Sequence, residues 1–462
     1  MTSESQEQIL VLGLGKSGFA AAELAASRGA AVTVLDEGGS PELRDRGEQL
    51  RRRGVDTRLE WNEDTWSEVA PELVVISPGI PPDSFLGRIA QSSSCPVVGE
   101  IEYGYRYCSC PILAVTGTNG KTTTVELLVH VLTHAGYSVL AAGNTGRPLS
   151  DAAARSSDLD FLIVEVSSFQ LEHIVDFAPL AGAILNVTPD HLDRYPSFSA
   201  YRQTKFRLAT ALNSPRDLVI CEDLTGTPEF QDSCQCDDAI PILFAPSESL
   251  VADFFLGDDG VLYERVEGTC VALLDQAALR LSGRHNAANV LAALALAKIA
   301  GIAPAELVPH LRTFVPSAHR LELVTVHRGI RIINDSKATN ADAMAKAILT
   351  CAEQGGAGGI LLIAGGVAKG QDFDSQAPVV ARHVKDVFLV GRCRERLAKQ
   401  WNHVVSCKMF VSLAAAVDAA LDSADSGDTV LLSPGCASHD MFSDYADRGR
   451  EFCALVRRRV GE

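Results

Sequence analysis

Features that define several common protein classes are missing from these 462 residues. No uninterrupted apolar stretch reaches the roughly 18 residues that a membrane-spanning helix needs. Basic residues are scarce, 41 against 58 acidic ones, and the net charge of −17 disfavours a general nucleic-acid-binding surface. The segment from Met1 to Gln8 has neither a basic start nor an apolar core, so we expect no signal peptide. The composition predicts a cytoplasmic protein that binds neither membranes nor nucleic acid.

Cysteine spacing of the kind found in structural zinc sites is also missing. Among the twelve cysteines, the pairs Cys108/Cys110 and Cys234/Cys236 are spaced C-x-C rather than C-x-x-C. Neither pair has the matching second C-x-x-C motif that a structural zinc site requires. Reduced thiols in the cytoplasm explain the pattern better than zinc or disulfides.

Short apolar stretches rich in Val, Ile and Leu alternate with glycine-rich turns and helical stretches along most of the chain. Examples are residues 9–12, 112–115 and 360–364. Such stretches are typical of buried parallel strands, and their alternation with helices indicates α/β units. Two hairpins are predicted outside this pattern, at residues 257–260 and at Arg328-Gly329.

The length predicts about three domains, at roughly 150 residues each. We place one boundary near residue 99, before the strand that leads to a second glycine-rich loop, and another near Pro316, before the second hairpin. The predicted fold is α/β with three domains. They are an N-terminal Rossmann-like domain over 1–99, a central P-loop mononucleotide-binding domain over 100–316, and a C-terminal Rossmann-like domain over 317–462.

The first glycine-rich loop runs from Gly13 to Gly18 and has the pattern G-x-G-x-x-G directly after the strand at 9–12. Asp36 ends the next strand, where an acidic residue could bind a ribose hydroxyl. The pattern favours a nucleotide diphosphate at the helix N-terminus, but it does not separate NAD from other nucleotides. A tight turn that needs glycine for packing is the alternative.

The second glycine-rich loop runs from Thr116 to Thr123 and ends in Gly-Lys-Thr, as a P-loop does. Val115 stands where the first glycine of the usual P-loop pattern would be. Lys121 could still reach the β and γ phosphates, and Thr122 could hold Mg²⁺. The loop therefore predicts ATP binding.

Polar residues follow two more strands of the predicted central domain. Glu165 follows the stretch at 161–164, and His191 follows the stretch at 183–187. Ligands of open parallel sheets bind at the carboxyl ends of strands, so both residues are candidate Mg²⁺ ligands. An ordinary surface carboxylate and a packed loop histidine are the alternatives.

Three polar loops stand out in the C-terminal domain. Residues 334–340 are dense in polar side chains where a strand ends, although a helix cap would explain them equally well. The loops at 365–369 and 433–438 each follow a predicted strand. All three could face one shared cleft.

In combination these motifs resemble the Mur ligases, in order and over nearly the whole chain. The Thr-Gly-Thr-Asn-Gly-Lys loop is similar to that of the wider family. Residues 334–340 and 433–438, with Asp440, Phe442, Arg448-Gly449 and Phe452, resemble the D-glutamate-adding branch. The resemblance implies an enzyme of peptidoglycan precursor synthesis. ATP would phosphorylate the carboxylate of UDP-N-acetylmuramoyl-L-alanine, and the D-glutamate amine would attack the acyl phosphate.

The resemblance also implies roles for individual residues. The catalytic group comprises Lys121, Glu165, His191 and Lys205. The ATP contacts are Gly117, Thr118, Asn119, Gly120, Lys121, Thr122, Thr123, Asn289, His319, Arg320 and Asp335. The UDP-substrate contacts are Gly15, Lys16, Ser17, Asp36, Ser77, Gly79, Asn144, Ser167 and Gln170. The D-glutamate contacts are Lys337, Thr339, Lys369, Ser438 and Tyr445.

The implied cofactors are ATP and two Mg²⁺ ions, and the implied enzyme is a monomer. The metal ligands would be Thr122, Glu165, His191 and an N6-carbamylated Lys205. Three departures concern the substrate sites: Tyr445 replaces a frequent Phe, Gly435 replaces a frequent Ala, and Lys16-Ser17 replaces the Leu-Thr of some relatives. None removes a chemical group that the reaction needs.

Three other functions stay open at this point. An NAD-dependent oxidoreductase would explain the first glycine-rich loop but not the loop at Lys121. A nucleotide-gated binding protein without ligase activity would use both loops. A Mur ligase that adds another amino acid would differ only in its second substrate.

Overall fold

The structure, a computed structural model, describes residues 6–62, 70–233, 240–355 and 358–461. Cys234 and Cys236, which entered the cysteine prediction, lie outside these ranges. Three separate sheets organise the described chain, which confirms the predicted α/β fold class. Over the described residues we find no helix with the length and apolar character needed to cross a membrane.

The N-terminal sheet is parallel and has the strand order β3-β2-β1-β4-β5. Its strands are β1 (Gln8–Leu12), β2 (Ala31–Leu35), β3 (Asp56–Arg58), β4 (Leu73–Ile76) and β5 (Val97–Gly99). The helices of this part are α1 (Lys16–Ser27), α2 (Pro41–Arg51) and α3 (Phe85–Ser92). The central strands β1 and β4 are almost wholly apolar and buried, as strands covered on both faces must be.

The central sheet has the order β14-β13-β12-β11-β10-β9-β6-β8-β7. Its strands are β6 (Ile112–Thr116), β7 (Val139–Gly143), β8 (Phe161–Glu165), β9 (Ala181–Ile184), β10 (Leu218–Cys221), β11 (Ile242–Ala245), β12 (Phe254–Leu256), β13 (Val261–Val266) and β14 (Thr269–Asp275). β12 and β13 pair antiparallel, which confirms the hairpin at 257–260. β9 begins two residues before the predicted stretch and ends at Ile184.

The helices that accompany the central sheet in sequence are α4 (Glu100–Tyr105), α5 (Lys121–His134), α6 (Leu149–Ala153), α7 (Ser168–Leu171), α8 (Phe198–Thr210), α9 (Pro228–Ser233), α10 (Arg284–Ile299) and α11 (Pro304–Leu311). α5 follows β6 directly and carries the Gly-Lys-Thr sequence at its start. Its residues from Thr122 to Val125 are buried. The packing of this first turn fixes the helix end that points to the second glycine-rich loop.

The C-terminal sheet has the order β15-β16-β20-β17-β18-β19. Its strands are β15 (Glu322–His327), β16 (Ile330–Asn334), β17 (Ile360–Gly365), β18 (Val384–Val390), β19 (Ser406–Met409) and β20 (Thr429–Leu432). Its helices are α12 (Ala341–Gln354), α13 (Ala377–His383), α14 (Arg394–Trp401), α15 (Leu413–Ser423) and α16 (Tyr445–Val460). β15 and β16 form the predicted antiparallel hairpin, and the remaining neighbours pair in parallel.

Contacts divide the chain into two compact units. The first comprises residues 1–187, 202–274 and 288–314, and the second comprises 188–201, 275–287 and 315–462. The first unit holds the N-terminal and central sheets, and the second holds the C-terminal sheet. The three domain ranges drawn from the sequence stay predictions.

A buried carboxylate stabilises the start of the central part of the first unit. Glu102 lies in α4 with no exposed surface. Its Oε2 accepts hydrogen bonds from the backbone N–H groups of Val175, Asp176 and Phe177, at 2.8, 3.0 and 2.8 Å. Three donors that converge on one buried oxygen replace the water that this charge lost on folding.

We expect Glu102→Ala to lower the free energy of unfolding by about 2 kcal/mol, because three N–H groups, one of them buried, lose a buried acceptor and Arg106 loses its partner at 3.3 Å. Urea denaturation measures this change. The exposed helical Glu353 offers a control, since Glu353→Ala should change stability by less than about 0.5 kcal/mol. A loss below about 1 kcal/mol in Glu102→Ala would show that the three donors find other partners.

Candidate active site

The glycine-rich loop between β6 and α5 packs closely against neighbouring side chains. Gly120 has a φ of 90° and precedes α5. A Cβ atom at this position would lie 2.2 Å from Oδ1 of Asn289, and this contact together with the positive φ favours glycine. The ammonium group of Lys121 donates to the carbonyl oxygens of Gly117 and Thr118, at 2.8 and 2.9 Å. The loop thus brings a cation and the N-terminus of a 14-residue helix together, which is an arrangement suited to phosphate.

A second side chain holds the same loop in place. Oδ1 of Asn186 accepts a hydrogen bond from the backbone of Asn119 at 2.9 Å, and Nδ2 of Asn186 donates to the Asn119 carbonyl at 3.0 Å. The backbone N–H of Thr118 donates to the Asn186 carbonyl at 2.8 Å. Asn186 was not among the predicted site residues. Its position just after β9, at the edge where β6 also ends, was the available signal.

Glu165 ends β8 beside this loop and is 2 % exposed. Its Oε1 accepts hydrogen bonds from Asn144 and Thr145, at 2.8 and 2.9 Å, whereas its Oε2 has no hydrogen-bond partner among the described residues. Burial alone would raise the pKa of Glu165, but the Lys121 ammonium and the Asn144 hydrogen bond hold the pKa below its usual value. The carboxylate therefore stays charged in a buried place.

Four other predicted residues of the first unit lie in or beside α7 and α8 or next to Glu165. Ser167 and Gln170 cap α7 reciprocally, since each side chain accepts a hydrogen bond from the other's backbone N–H. Lys205 lies in α8 and is only 1 % exposed. Asn144 donates to Glu165, and its predicted contact with the UDP substrate stays a prediction.

The first glycine-rich loop is shaped by packing and by two side chains. A Cβ atom on Gly18 would lie 1.8 Å from the Gly13 carbonyl oxygen, so the packing alternative explains this glycine. The two oxygens of Asp36 accept hydrogen bonds from the backbone of Leu14 and Gly38. Ser77 donates to the Gly13 carbonyl at 3.2 Å. Asp36 and Ser77 therefore hold the loop, while the predicted contacts Gly15, Lys16 and Gly79 are exposed.

The second unit contains a buried charge cluster around Asp190, which is 4 % exposed. The carboxylate accepts a hydrogen bond from the His191 backbone at 2.9 Å and one from Nδ2 of Asn340 at 3.2 Å. The ammonium group of Lys369 lies 3.7 Å from Oδ1 of Asp190. Burial raises the pKa of Asp190, but Lys369 and His191 more than offset this and lower it. Asp190 was missed by the sequence prediction, although it directly precedes His191.

His191 and His319 both have left-handed backbone conformations, with φ values of 54° and 68°. This conformation is strained for residues other than glycine, at a cost of about 1 kcal/mol. Nδ1 of His319 accepts a hydrogen bond from Asn334 at 2.8 Å, and burial lowers the pKa of the His319 ring. The contacts around His319 thus keep its imidazole neutral, in a loop whose backbone is strained.

The polar stretch at 334–340 makes two kinds of contact. Asn340 caps α12 by accepting a hydrogen bond from the Ala343 backbone at 2.9 Å, which confirms the helix-cap interpretation for this residue. Lys337 donates from its ammonium group to the Tyr445 hydroxyl at 3.1 Å and lies 4.7 Å from the ring centroid. Two of the predicted D-glutamate contacts are therefore neighbours. Thr339 is half-buried, and Ser438 is buried.

Comparison with protein families gives matches along the chain in the same order as the motifs. Residues 7–99 match the Mur ligase MurD-like N-terminal domain. Residues 115–297 match the Mur ligase middle domain, and residues 319–436 match the Mur ligase glutamate ligase domain.

Two relatives match over nearly full length. A protein of Thermoanaerobacter pseudethanolicus is 36% identical over 97% of this chain and 98% of its own. A protein of Frankia casuarinae is 39% identical over 98% of this chain and 94% of its own. Both are named UDP-N-acetylmuramoylalanine--D-glutamate ligase. The chain belongs to the Mur ligase family. It is therefore an ATP-dependent ligase.

Solved structures support the fold of this Mur ligase. The MurF ligase from Thermotoga maritima in complex with ADP aligns with a TM-score of 0.60 and 14% identity, covering 100% of this chain and 99% of its own. A pseudomurein peptide ligase type C from Methanothermus fervidus aligns with a TM-score of 0.60 and 19% identity, covering 98% and 100%. At these identities the likeness concerns the fold alone.

Mur ligases use ATP with Mg²⁺, and the residues beside the second loop fit such an ion. Glu165 is ionised and has one oxygen without a hydrogen bond among the described residues. The hydroxyl of Thr122 lies close enough to help lower the Glu165 pKa. Within the described ranges, no cluster of three or more His, Cys, Asp or Glu side chains is arranged to hold a metal. Mg²⁺ favours few protein ligands together with phosphate oxygens and water.

The buried carboxyl group of Asp335 has a shifted pKa, and its effect on stability can be measured. Burial raises its pKa to about 7, although Ser433 and the Leu321 backbone donate hydrogen bonds to it. Between its usual pKa of 3.8 and about 7, the folded protein binds a proton that the unfolded chain has lost. The free energy of unfolding contributed by this group therefore falls as pH rises.

We expect the free energy of unfolding of Asp335→Asn, taken relative to that of the parent protein, to be higher at pH 8 than at pH 5 by at least about 1 kcal/mol. Urea denaturation of both proteins at the two pH values measures this difference. The exposed Asp374 provides the control, because Asp374→Asn should show no comparable trend. A stability difference between Asp335→Asn and the parent that does not change with pH would contradict the raised pKa.

Proposed function

We propose that this Mur ligase joins D-glutamate to UDP-N-acetylmuramoyl-L-alanine, with ATP converted to ADP and phosphate, as a step of peptidoglycan precursor synthesis. The observation that carries the proposal is the loop at Lys121 beside the ionised Glu165, in a chain 36–39% identical to ligases of that name. We further infer a monomeric, cytoplasmic enzyme, because nothing in the motifs requires a second chain.

The reaction needs two displacements. A carboxylate oxygen of the UDP substrate attacks the γ-phosphorus of ATP, and ADP leaves. The amine nitrogen of D-glutamate then attacks the acyl carbon, phosphate leaves, and the nitrogen loses a proton. Lys121 would balance the charge of the transferred phosphoryl group, and the N-terminus of α5 would bind its oxygens. A bound Mg²⁺ would add charge stabilisation at the phosphates, with Thr122 and Glu165 as its ligands.

D-Glutamate carries two carboxylates, and we assign them to the second unit. Lys337 and Lys369 would each pair with one carboxylate, and Thr339, Ser438 and Tyr445 would supply further contacts. The ion pair between Lys369 and Asp190 would hold the lysine in position before the substrate arrives. His319, Arg320 and Asp335 are proposed ATP contacts of the same unit.

The UDP part of the substrate is assigned to the first glycine-rich loop. Gly15, Lys16 and Ser17 lie at or next to the N-terminus of α1, where backbone N–H groups favour a diphosphate. Lys16 is exposed and could add a cation. The same loop would serve NAD in an oxidoreductase, but such an enzyme gives no use to Lys121 and Glu165.

The test is ATP-dependent phosphate release against a panel of L- and D-amino acids. We expect release to require both UDP-N-acetylmuramoyl-L-alanine and D-glutamate, and to be at least about 100-fold slower with L-alanine or meso-diaminopimelate. L-Alanine lacks the second carboxylate, and the longer chain of meso-diaminopimelate places its second carboxylate at a different distance and adds a second ammonium group. Reactions without the UDP substrate are the control. Equal rates with other amino acids would contradict the proposal, and saturable tight NAD binding would favour the oxidoreductase.

We also propose two Mg²⁺ ions, with His191 and an N6-carbamylated Lys205 as further ligands. A lysine that is 1 % exposed loses most of its hydration, and a neutral amine reacts with CO₂ more readily than an ammonium group does. The carbamate converts a cation into an oxygen ligand, which explains a lysine near a magnesium ion.

We expect Lys205→Ala to lower kcat by a factor of about 100 or more, with partial recovery in millimolar acetate or formate, because a small carboxylate can replace the carbamate oxygens. Phosphate release measures both effects. Lys121→Ala is the matched control: it loses a cation, so acetate should not restore it. Parent-like activity of Lys205→Ala would exclude the carbamate role.

A further inference from the structure

Arg448 is among the largest fully buried side chains of the described residues, and it lies in α16 with 2 % exposure. Its Nε and Nη2 donate to the hydroxyl and the carbonyl oxygen of Ser336, at 3.0 and 2.8 Å. Its Nη1 donates to the carbonyl oxygen of Cys436 at 3.1 Å. One planar guanidinium group therefore joins two loops that are about 100 residues apart in the sequence.

Both loops belong to the proposed D-glutamate site. Ser336 directly precedes Lys337, and Cys436 stands two residues before Ser438. The Ser336 hydroxyl also donates to the backbone carbonyl of Tyr445 at 2.7 Å. The hydrogen bonds around Arg448 thus reach the residue before Lys337, the residue two positions before Ser438 and the backbone of Tyr445 itself. A shift of this side chain would move all three at once.

The charge of Arg448 is unusual for its surroundings. None of the salt bridges formed within the described ranges includes this residue, and its hydrogen-bond acceptors are neutral oxygens. Burial lowers the pKa of Arg448 to about 10, although the Cys436 thiol and the carboxyl groups of Asp440 and Asp335 act in the opposite direction. The group is therefore still a cation at neutral pH. A buried cation without an ion-pair partner lowers stability, and neutral donors could join the loops without that cost.

A ligand that carries negative charge would make use of this cation. D-Glutamate brings two carboxylates to loops that Arg448 holds, and Lys337 and Lys369 lie in the same unit. The potential of a buried charge is only weakly screened by salt. A third positive charge, bound to the loop that carries Lys337, would favour a dicarboxylate over an amino acid with one carboxylate.

We propose that Arg448 is a positioning residue that fixes the loops at 334–340 and 433–438 and whose charge selects a dicarboxylate amino acid at the site between them. This inference rests on the proposed function. Arg448 is not assigned to touch the substrate: it would act through Lys337 and Ser438, because it binds Ser336 and Cys436 in the same two loops.

The experiment compares Arg448→Gln and Arg448→Lys with the parent protein in the phosphate-release assay. We expect Arg448→Gln to raise the KM for D-glutamate about 10-fold to 100-fold, since charge-assisted hydrogen bonds and a favourable potential are lost. The KM for ATP should change less than about 2-fold. Arg448→Lys keeps the charge but not the planar geometry, so its KM for D-glutamate should lie between those of the parent and of Arg448→Gln.

A second readout separates the charge from mere structural support. The preference for D-glutamate over D-glutamine, measured as a ratio of kcat/KM values, should fall in Arg448→Gln and be largely kept in Arg448→Lys. Thermal unfolding of each variant is recorded alongside. Arg458, exposed on the same helix, gives the matched control, and Arg458→Gln should leave both KM values and the preference unchanged.

Three results would overturn the inference. One is an unchanged KM for D-glutamate in Arg448→Gln, and another is an equal rise in the KM values of all three substrates. The third is a loss of preference in Arg448→Lys as large as that in Arg448→Gln. If Arg448→Gln fails to fold, loss of the D-glutamate preference in folded Arg448→Lys overturns the inference, because that variant keeps the charge. If the parent protein itself shows no D-glutamate-dependent release, the proposed function is wrong. If the parent shows this release and the Arg448 variants have the KM values and the preference of the parent, the inference alone is wrong.

Discussion

Parallel pairing of β6, β8 and β9 is the constraint on which the first half of the site depends. Because the three strands run in the same direction and are neighbours, the residues that follow them emerge at one edge of the central sheet. Gly117, Asn186 and Glu165 come from segments about 20 to 70 residues apart, yet they meet there. The antiparallel strands farther along the sheet contribute no candidate residue.

The proposed site also contains buried charged groups, and each of them has a different set of partners. Glu165 has a cation and two hydrogen-bond donors beside it. Asp190 has a lysine and two donors. Arg448 has only neutral acceptors. Charges of this kind lower stability unless they are compensated, so their presence beside the proposed site residues indicates places where function and stability compete.

The acidic segment 217–275 shows that the net charge of the chain does not predict the charges at the proposed site. It contains fourteen acidic residues and one basic residue, and much of the net charge of −17 comes from it. No proposed site residue lies in this segment. At the proposed phosphate and D-glutamate sites we expect Lys121, Lys337, Lys369 and the helix N-termini to set the field, because a charge acts most strongly on the groups nearest to it.

The sequence by itself determined the α/β class, both hairpins and the family, since apolar periodicity, turn residues and glycine spacing are local properties. It also pointed to Lys121 and Glu165, because each directly follows a predicted strand or turn. Only the tertiary structure decided that Asn186 clamps the loop, that Asp190 pairs with Lys369, and that Arg448 joins two loops. Apart from the Arg448–Cys436 hydrogen bond, which spans 12 positions, these contacts connect residues 67 to 179 positions apart in the sequence. No local pattern encodes which distant side chains the packing of strands and helices will bring together.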